Sequence, residues 1–461
     1  MIKQNLNSHF LAMTIKKKIV FFLIFISLNN CSFDNKTGIW GEGEKEKRRI
    51  SELEKKQKQI LDIEKIYSSE NIYSKEKSLA NKIILSKPKN ISAWKMSGLN
   101  SQNFLGNIYL PRVNNTFLKK KIGKDKFSIH KAMTPLLAFN NNIALSDDTG
   151  TIFYINKRGK IKWKKNIYKK IYKRVYKNLV FSIYENNIYV ADNIGFIYAI
   201  NLESGKLVWI KNYGVPIKSN MKIIKNKIFL VDQDNKILCF NTKDGSIIWN
   251  ILSIASFIKS QNLLSIAISR DGNVFVMTSS ADIFKINSES GNVIWSRNTS
   301  DSLYANATDF FSSSEIVLSD DQIIFSSGSK IFSYNAINGS TNWENEVNTV
   351  ATPIIDGENI FIVTENGYFV ILHKDTGKII SSTNILKILK KKKQDTRITG
   401  FIMGSGKIYS VTLNGNLIVS SAVSGEAEYF KKIGEKNIAP LIISSEVLYI
   451  LTENSRIFGF N

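Results

Sequence analysis

Short apolar runs separated by glycine, asparagine or aspartate follow one another along residues 114–461. Many of these runs are almost continuously apolar, as at residues 228–231 and 360–363. Runs of this length between turn-forming residues indicate β-strands, and the weak alternation indicates strands that are buried on both faces. Residues that tolerate positive φ, such as Gly195 and Asn235, predict tight turns between them. The pattern therefore predicts an all-β domain.

One unit of this pattern recurs: a strand, a tight turn ending in glycine, and a second strand with tryptophan four residues after that glycine. It is best preserved at residues 195–209. Two further copies keep Gly377 and Gly425 but carry Ser381 and Tyr429 in place of tryptophan. Successive glycines lie 38 to 48 residues apart, which is typical of β-propeller blades. The complete pairs are Gly159/Trp163, Gly205/Trp209, Gly245/Trp249, Gly291/Trp295 and Gly339/Trp343.

An eighth copy begins at Val447 and reaches Asn461, where the sequence stops before an outer strand. Residues 116–123 have the character of the missing strand, and we expect Phe117 to take the place of the tryptophan. Pairing the first segment with the last closes the ring. The prediction is an eight-bladed β-propeller of four-stranded antiparallel blades over residues 114–461. We expect the tryptophan of the motif to pack against the next blade as a core indole.

The N-terminal region has a different pattern. Three lysines at 16–18 precede an apolar run at 19–28, which is too short to span a bilayer, so residues 1–30 are interpreted as a signal peptide. The run ends at Leu28-Asn29-Asn30-Cys31, which resembles a lipobox and implies lipid attachment at Cys31. An uncleaved anchor is the alternative. Residues 31–87 are interpreted as a polar tether with a helix over 44–67 and, less clearly, a second short helix up to Pro88. Residues 88–113 form a pre-propeller segment, expected to pack along the side of the domain.

The charge of +24 favours an anionic partner. An exported lipoprotein does not meet nucleic acid, so a membrane surface or an acidic protein remains. Lysine is abundant throughout, and two basic runs, at residues 162–177 and 387–393, fall between predicted blades. We interpret them as solvated loops, with binding to anionic lipid or to an acidic partner as the alternative.

Candidate catalytic and metal-binding motifs are sparse. The two cysteines, Cys31 and Cys239, provide no disulfide if the first is acylated, and Cys239 lies in an apolar strand that predicts a core position. The three histidines are too far apart in sequence to indicate a zinc site. Residues 404–407 lack the full phosphate-loop pattern and predict a hairpin turn. We therefore predict no metal, no cofactor and no catalytic site.

The motif at 195–209 resembles the quinoprotein-type repeat of β-propellers. Together with the lipobox and eight copies of the repeat, the chain resembles the BamB family of lipoproteins. This resemblance implies a non-catalytic periplasmic scaffold of the outer-membrane β-barrel assembly machinery. It implies a lipid anchor at the periplasmic face of the outer membrane, binding to the periplasmic domains of BamA, and assistance to nascent outer-membrane proteins.

The resemblance also suggests where a partner docks. In the family the loop after the third tryptophan motif holds the partner, and here that loop is residues 252–262. Phe257, Ile258 and Lys259 fall where those contacts are expected, and Asp309 is the nearest candidate for an acidic contact from a later loop. Phe257 and Ile258 alternatively cap the face of the propeller.

Two other classes of function stay open at this stage. The same repeat builds quinone-dependent dehydrogenases, which hold calcium with Glu, Asn and Asp side chains in the central funnel and usually carry two adjacent cysteines. This chain has no adjacent cysteines. The second alternative is a module that binds peptidoglycan or another envelope polymer.

Overall fold

The computed structural model describes residues 32–33, 40–41, 48, 51–52, 72–78, 83–127, 136–253, 263–299, 313–349, 351–389, 396–434 and 440–461. The chain divides into two units, residues 1–70 and 71–461. In the first unit β1 (Ser32–Phe33) pairs antiparallel with β2 (Trp40–Gly41), and Arg48 and residues 51–52 are helical. The rest of the helix predicted over 44–67 lies outside the described residues, as does Cys31. Among the described residues, no helix has the length and apolarity that a membrane crossing requires.

The second unit forms eight four-stranded antiparallel sheets, which are the blades of a propeller. The first strand of this unit, β3 (Thr116–Lys121), follows the pre-propeller segment and belongs to blade 8. Blade 1 contains β4 (Leu137–Phe139), β5 (Asn142–Ser146), β6 (Ile152–Asn156) and β7 (Ile161–Lys165). Blade 2 contains β8 (Leu179–Tyr184), β9 (Asn187–Asp192), β10 (Phe196–Asn201) and β11 (Leu207–Asn212). Blade 3 contains β12 (Lys222–Ile224), β13 (Lys227–Val231), β14 (Lys236–Asn241) and β15 (Ile247–Leu252). Blade 4 contains β16 (Ile266–Ile268), β17 (Asn273–Met277), β18 (Asp282–Asn287) and β19 (Val293–Asn298).

The remaining blades follow the same order. Blade 5 contains β20 (Val317–Ser319), β21 (Gln322–Ser327), β22 (Lys330–Asn335) and β23 (Thr341–Asn345). Blade 6 contains β24 (Ile354–Asp356), β25 (Asn359–Val363), β26 (Tyr368–His373) and β27 (Ile379–Asn384). Blade 7 contains β28 (Ile398–Gly404), β29 (Lys407–Thr412), β30 (Asn416–Ser421) and β31 (Ala427–Lys432). Blade 8 contains β32 (Ile442–Ser444), β33 (Val447–Leu451) and β34 (Arg456–Phe460), with β3 as its outer strand.

The pairing of β3 with β34 confirms that the first and last segments close the ring. The residue at the tryptophan position was predicted wrongly. Leu118, not Phe117, pairs with Gly459 as Trp209 pairs with Ala199, and the bulge between Thr116 and Leu118 matches the one before the tryptophan in the other blades. The position was miscounted because β3 has no motif glycine before it: Asn114 stands four residues before Leu118. A Cβ on Gly159 of blade 1 would lie 3.0 Å from Leu118 Cδ1, so this leucine packs on the next blade as the tryptophans do.

Burial increases from the outer strand of each blade to the inner strands. The second strand β25 is buried throughout, whereas the outer strand β11 is exposed except at the partly buried Trp209. Sheets that stack face to face around an axis bury both faces of their inner strands, which explains the continuous apolar runs. Cys239 in β14 is fully buried, as predicted, and this burial raises the pKa of its thiol to about 12.

Each of the five tryptophans of the motif lies against the glycine turn of the following blade, not against the glycine of its own copy. A Cβ on Gly245 of blade 3 would lie 2.6 Å from Trp209 Cζ3, and the φ of +70° at Gly245 also favours glycine. The indole Nε1 of Trp209 donates to the backbone oxygen of Thr242, also in blade 3, at 2.9 Å. The same Cβ-to-indole distance is 2.8 Å for Gly205 and Trp163, 2.9 Å for Gly291 and Trp249, 2.9 Å for Gly339 and Trp295, and 2.4 Å for Gly377 and Trp343. The repeat motif is therefore the contact between blades.

The prediction of a core indole is wrong for four of these five residues. Trp163, Trp209, Trp249 and Trp295 are only partly buried. Trp343 differs from them, since it is 8% exposed and belongs to the buried core between blades 5 and 6. The reason is the position of the fourth strand at the rim of the ring, where the next blade covers one side of the indole and the neighbouring side chains are exposed.

The indole nitrogens show the same geometry in all five copies that carry tryptophan. Each Nε1 donates to a backbone oxygen in the turn between the third and fourth strands of the next blade. The bonds not yet given run from Trp163 to Leu202 at 2.8 Å, from Trp249 to Ser288 at 3.1 Å, from Trp295 to Ala336 at 3.4 Å and from Trp343 to Lys374 at 2.8 Å. In blade 6 the buried Ser381 has the strand pairing that tryptophan has in the other blades. The side chain that lies against Gly425 of blade 7 is that of Thr383.

Antiparallel blades give the ring two different ends. One end, here named the turn face, carries the turns between first and second strands and between third and fourth strands. Residues 404–407 are such a turn, between β28 and β29, as predicted. The other end, the loop face, carries the turns between second and third strands and the loops that connect consecutive blades.

Candidate functional site at the axis and rim

The segment at 83–113 lies across the axis at the turn face. It contacts the first strand of a blade, or the turn after that strand, in all eight blades. Trp94 exchanges two backbone hydrogen bonds with Ala138 of blade 1, at 2.6 and 2.9 Å. Contacts with the other blades are Lys95–Ile183, Ser97–Lys222, Ser101–Ile268, Gln102–Leu318, Ser86–Asp356, Ile108–Ser405 and Ile91–Ser445. The prediction that this segment packs along the side of the domain is wrong, because its backbone groups find partners at the ends of the inner strands.

A buried lysine holds this axial segment. Lys222 of β12 is fully buried, and its Nζ donates to Ser97 O at 2.5 Å, Asn100 O at 2.8 Å and Asn103 Oδ1 at 2.5 Å. Asn103 is also fully buried, and its Nδ2 donates to the backbone oxygens of Ile266 and Ile316 at 3.0 and 2.8 Å. One asparagine thus bridges blades 4 and 5 while accepting from the cation of blade 3.

Glu315 supplies the negative charge near this lysine. Its Oε1 accepts from Ser97 Oγ at 2.7 Å and Asn220 Nδ2 at 2.6 Å, and its Oε2 accepts from Thr352 Oγ1 at 3.2 Å. Burial lowers the pKa of Lys222 to about 8, and the charge of Glu315 opposes that shift. Sequence reasoning missed this network, although a lysine inside the apolar pattern of an inner strand was a visible signal.

The polar side chains at this end of the axis, Lys222, Asn103 and Glu315, do not form a binding site for the calcium and quinone of the dehydrogenases. Among the described residues, no three His, Cys, Asp or Glu side chains form a group that could hold a metal ion. The axial carboxylate of Glu315 is instead hydrogen-bonded by Ser97, Asn220 and Thr352. The ammonium of Lys222 would repel a divalent cation at this point. The polar groups at this end of the axis serve the axial segment.

The predicted docking residues Phe257, Ile258, Lys259 and Asp309 lie outside the described residues. The loop leaves blade 3 at Leu252, which is 75% exposed at the loop face. The structure thus describes the apolar start of this loop and none of the predicted contacts.

The outer strands of blades 2, 3 and 4 each carry exposed apolar residues, which together are here named the apolar strip. Its members flank the tryptophans and were missed by sequence reasoning, although two adjacent apolar residues precede the indole in each of these three strands. Exposed apolar residues on a sheet edge favour association, because the edge also presents unpaired backbone groups. The members are Leu207, Val208, Ile210, Ile247, Ile248, Leu252, Val293 and Ile294.

In blade 6 the edge of the outer strand β27 is covered by residues of the segment before the propeller. Residues 72–74 form a 3-10 turn, and Lys77 exchanges backbone hydrogen bonds with Ser382 of outer strand β27 at 3.0 and 3.1 Å. The buried Tyr73 packs edge-on against Tyr368 at 5.6 Å. The possible second helix in this region is therefore wrong as far as residues 72–78 and 83–87 are described. An outer strand of this ring accepts an extended segment.

The fold defines a class: eight-bladed propellers of quinoprotein-type repeats, here with one end of the axis filled by the chain itself. The family model described as "Outer membrane protein assembly factor BamB" matches residues 148–383, more than half of the chain. The chain belongs to this family.

Curated relatives carry the same description, and solved structures share the fold. An outer membrane protein assembly factor BamB from Moranella endobia is 20% identical over 61% of this chain and 64% of its own length. One from Shewanella oneidensis is 26% identical over 42% of this chain and 53% of its own length. The match thus spans less than two thirds of either relative. The crystal structure of BamB from Moraxella catarrhalis superposes with a TM-score of 0.60 at 10% identity, over 75% of this chain and all of that one. A europium-containing methanol dehydrogenase reaches 0.59 at 10% identity, over 78% and 89%, so at this level the likeness shows the fold alone.

Proposed function

We propose that this protein is a non-catalytic scaffold of the outer-membrane β-barrel assembly machinery, which binds the periplasmic domains of BamA and assists insertion of outer-membrane proteins. Family membership supports the pathway. The single structural observation that carries the scaffold role is the exposed apolar strip on blades 2 to 4. Exposed apolar surface on outer strands is typical of a protein-binding site and does not form a pocket for a substrate.

The docking site proposed for BamA combines this strip with the loop at 252–262. Phe257 and Ile258 supply apolar anchors, Lys259 an adjacent cation and Asp309 an acidic contact. Apolar or aromatic anchors beside a charged rim are the usual composition of the energetically dominant part of an interface. Leu252, at the start of the loop, extends the exposed apolar surface to the end of β15.

We further propose that Cys31 is acylated and that the protein resides at the periplasmic face of the outer membrane. The motif Leu28-Asn29-Asn30-Cys31 supports acylation, and Ser32 stands where lipoproteins retained at the inner membrane commonly carry aspartate. The non-catalytic role is supported by the axis, where Lys222 and Glu315 are engaged by the axial segment.

Co-purification tests the partner. The affinity-tagged full chain is recovered from detergent-solubilised envelopes, and BamA is quantified in the eluate. Phe257→Asp combined with Ile258→Asp is expected to reduce BamA recovery at least tenfold, since truncated interface anchors cost about 2 kcal/mol or more.

The matched control places the same chemistry elsewhere. Ile337 is 61% exposed in the turn between β22 and β23 at the turn face, so Ile337→Asp is expected to leave BamA recovery unchanged. Absence of BamA with the unaltered chain contradicts the proposed function. Equal recovery with the loop variant contradicts the proposed docking site alone.

A further inference from the structure

The most basic stretch of the chain forms a patch on the loop face between blades 1 and 2. Half of residues 157–178 are Lys or Arg, and none is Asp or Glu. At the loop face the chain makes a 3-10 turn at Lys170–Arg174. Its exposed side chains include Lys170, Lys173 and Arg174, with Lys169 just before them. These four residues, with Ile171 and Val175, are here named the basic patch.

Two apolar side chains project from the centre of this patch. Ile171 is 79% exposed and Val175 is 45% exposed. Ile171 therefore shares with Ile84 the highest exposure among the large apolar residues of the described chain. Exposing a large apolar side chain to water is unfavourable, so a loop that only contacts solvent does not explain Ile171.

The turn is held in place, so Ile171 does not fold back onto the propeller. Tyr172 packs edge-on against Phe196 at 5.7 Å and Tyr168 at 6.4 Å. Tyr168 donates to Asp192 Oδ2 at 2.5 Å, and the buried Lys177 donates to the backbone oxygen of Tyr172. The apolar side of the turn is thereby committed to blade 2.

Nearby carboxylates do not neutralise the patch. Asp147, Asp148 and Asp192 are buried. Asp148 Oδ2 accepts the backbone N–H groups of Lys126 and Phe127 at 2.6 and 2.7 Å, and Asp192 Oδ1 accepts three backbone N–H groups of its own turn. The charge of these three carboxylates is directed into the fold. Asp125, beside Asp148, is exposed, but the 11 Lys and Arg of residues 157–178 outnumber it, so the outward charge of this sector is positive.

We propose that the basic patch binds the surface of a bilayer containing anionic phospholipid, with Ile171 inserted between headgroups. An acidic peptide would satisfy the cations but would leave the exposed isoleucine unexplained. A cluster of Lys and Arg around an apolar tip fits a surface that is anionic outside and apolar a few ångströms below. This inference goes beyond the proposed function and needs neither BamA nor a lipid anchor.

A probe at position 171 tests the proposal. Ile171→Cys is introduced into the full chain carrying Cys31→Ser and labelled with an environment-sensitive fluorophore, since Cys239 is fully buried. Vesicles of phosphatidylglycerol and phosphatidylcholine are expected to shift the emission to shorter wavelength and to protect the probe from an aqueous quencher. Vesicles of phosphatidylcholine alone are expected to do neither. Because the signal is local to position 171, association of the N-terminal segment affects all variants alike.

Charge variants complete the design. Lys170→Gln with Lys173→Gln removes two charges, each worth about fivefold near an anionic surface, so the half-saturating lipid concentration should rise about 25-fold. The matched control is Lys206→Gln with Lys243→Gln, which changes two exposed lysines in turns of the turn face. This control should leave the half-saturating lipid concentration unchanged. A second probe at Ile337→Cys should show no shift.

Three outcomes overturn the proposal: no response to anionic vesicles, an equal response to neutral vesicles, or an equal response at position 337. A response to soluble oligoglutamate without any response to vesicles also overturns it and assigns the patch to an acidic protein. BamA plays no part in this assay, so its failure leaves the proposed function standing.

Discussion

The contact between Trp209 and Gly245 provides a quantitative test of how one blade holds the next. Trp209 is partly buried, and we take about 150 Å² of buried area, the lower end for aromatic side chains. At about 25 cal/mol per Å² this corresponds to about 4 kcal/mol, which is an upper estimate because unfolded chains already bury some surface. Loss of the hydrogen bond to Thr242 adds about 1 kcal/mol. We expect Trp209→Ala to lower the free energy of unfolding by about 3–4 kcal/mol.

The reciprocal change is Gly245→Ala. With tryptophan present, the new Cβ would lie 2.6 Å from the indole and would also carry the strain of φ +70°. With alanine at position 209 only the backbone strain of about 1–2 kcal/mol remains. The double variant should therefore be destabilised by at least about 1 kcal/mol less than the sum of the single variants.

Urea unfolding followed by circular dichroism measures all four free energies without relying on indole fluorescence. Val208→Ala, at a 51% exposed position on the same strand, is the control and should change the free energy of unfolding by less than about 0.5 kcal/mol. Additive effects of the two changes would refute the contact. A loss below about 1 kcal/mol in Trp209→Ala would refute the assigned role of the indole.

Three further predictions concern the axis and the covered edge. The pKa of Lys222 is about 8 in the folded chain against 10.5 ordinarily, so the unfolded chain binds more protons between these values and stability rises with pH there. Relative to Lys222→Met, the unaltered chain should gain about 3 kcal/mol between pH 7 and 10.5, measured by urea unfolding, and parallel pH profiles would contradict the burial of the cation. Gly98→Ala should speed proteolytic cleavage within residues 83–113 at least tenfold, because its φ is +67° and the new Cβ would lie 2.0 Å from Asn103 Oδ1; an unchanged cleavage rate would contradict this. Tyr73→Ala should accelerate hydrogen exchange at the amides of Lys77 and Ser382 and leave those of blade 2 unchanged, and equal protection in both chains would show that Tyr73 does not hold the edge.

The ring was predictable because each blade repeats the same local chemistry. Glycine is needed wherever an indole of the preceding blade lies within 3 Å of a Cβ position, so the glycine and tryptophan spacing reports a contact between blades. Closure by residues 116–123 was predictable from the strand that the eighth copy lacks. The residue at the tryptophan position was not, because residues 116–123 lack the motif glycine from which that position is counted in the other copies, and Asn114 stands four residues before Leu118.

The axial segment was not predictable for a different reason. Its hydrogen bonds to the blades join residues that are far apart in sequence, more than a hundred positions in the case of Lys222 with Ser97 and Asn103. No local periodicity encodes such contacts. Lys222 in an apolar strand indicated that some acceptor must lie nearby, since a buried ammonium without partners is too costly, but the pattern alone does not say which segment provides it.

The axial segment occupies the end of the axis at the turn face, so a partner binds this protein elsewhere. With Lys222, Asn103 and Glu315 committed to the axial segment, the surfaces that remain available are the rim and the loop face. Strand edges on a rim invite association, and the chain protects two of them with lysines, in β3 and β7, and covers that of β27 with residues around Lys77. The outer strands of blades 2 to 4 instead begin with exposed apolar pairs such as Ile247 and Ile248. These exposed apolar edges support a partner at that sector, and the loop at 252–262 begins there.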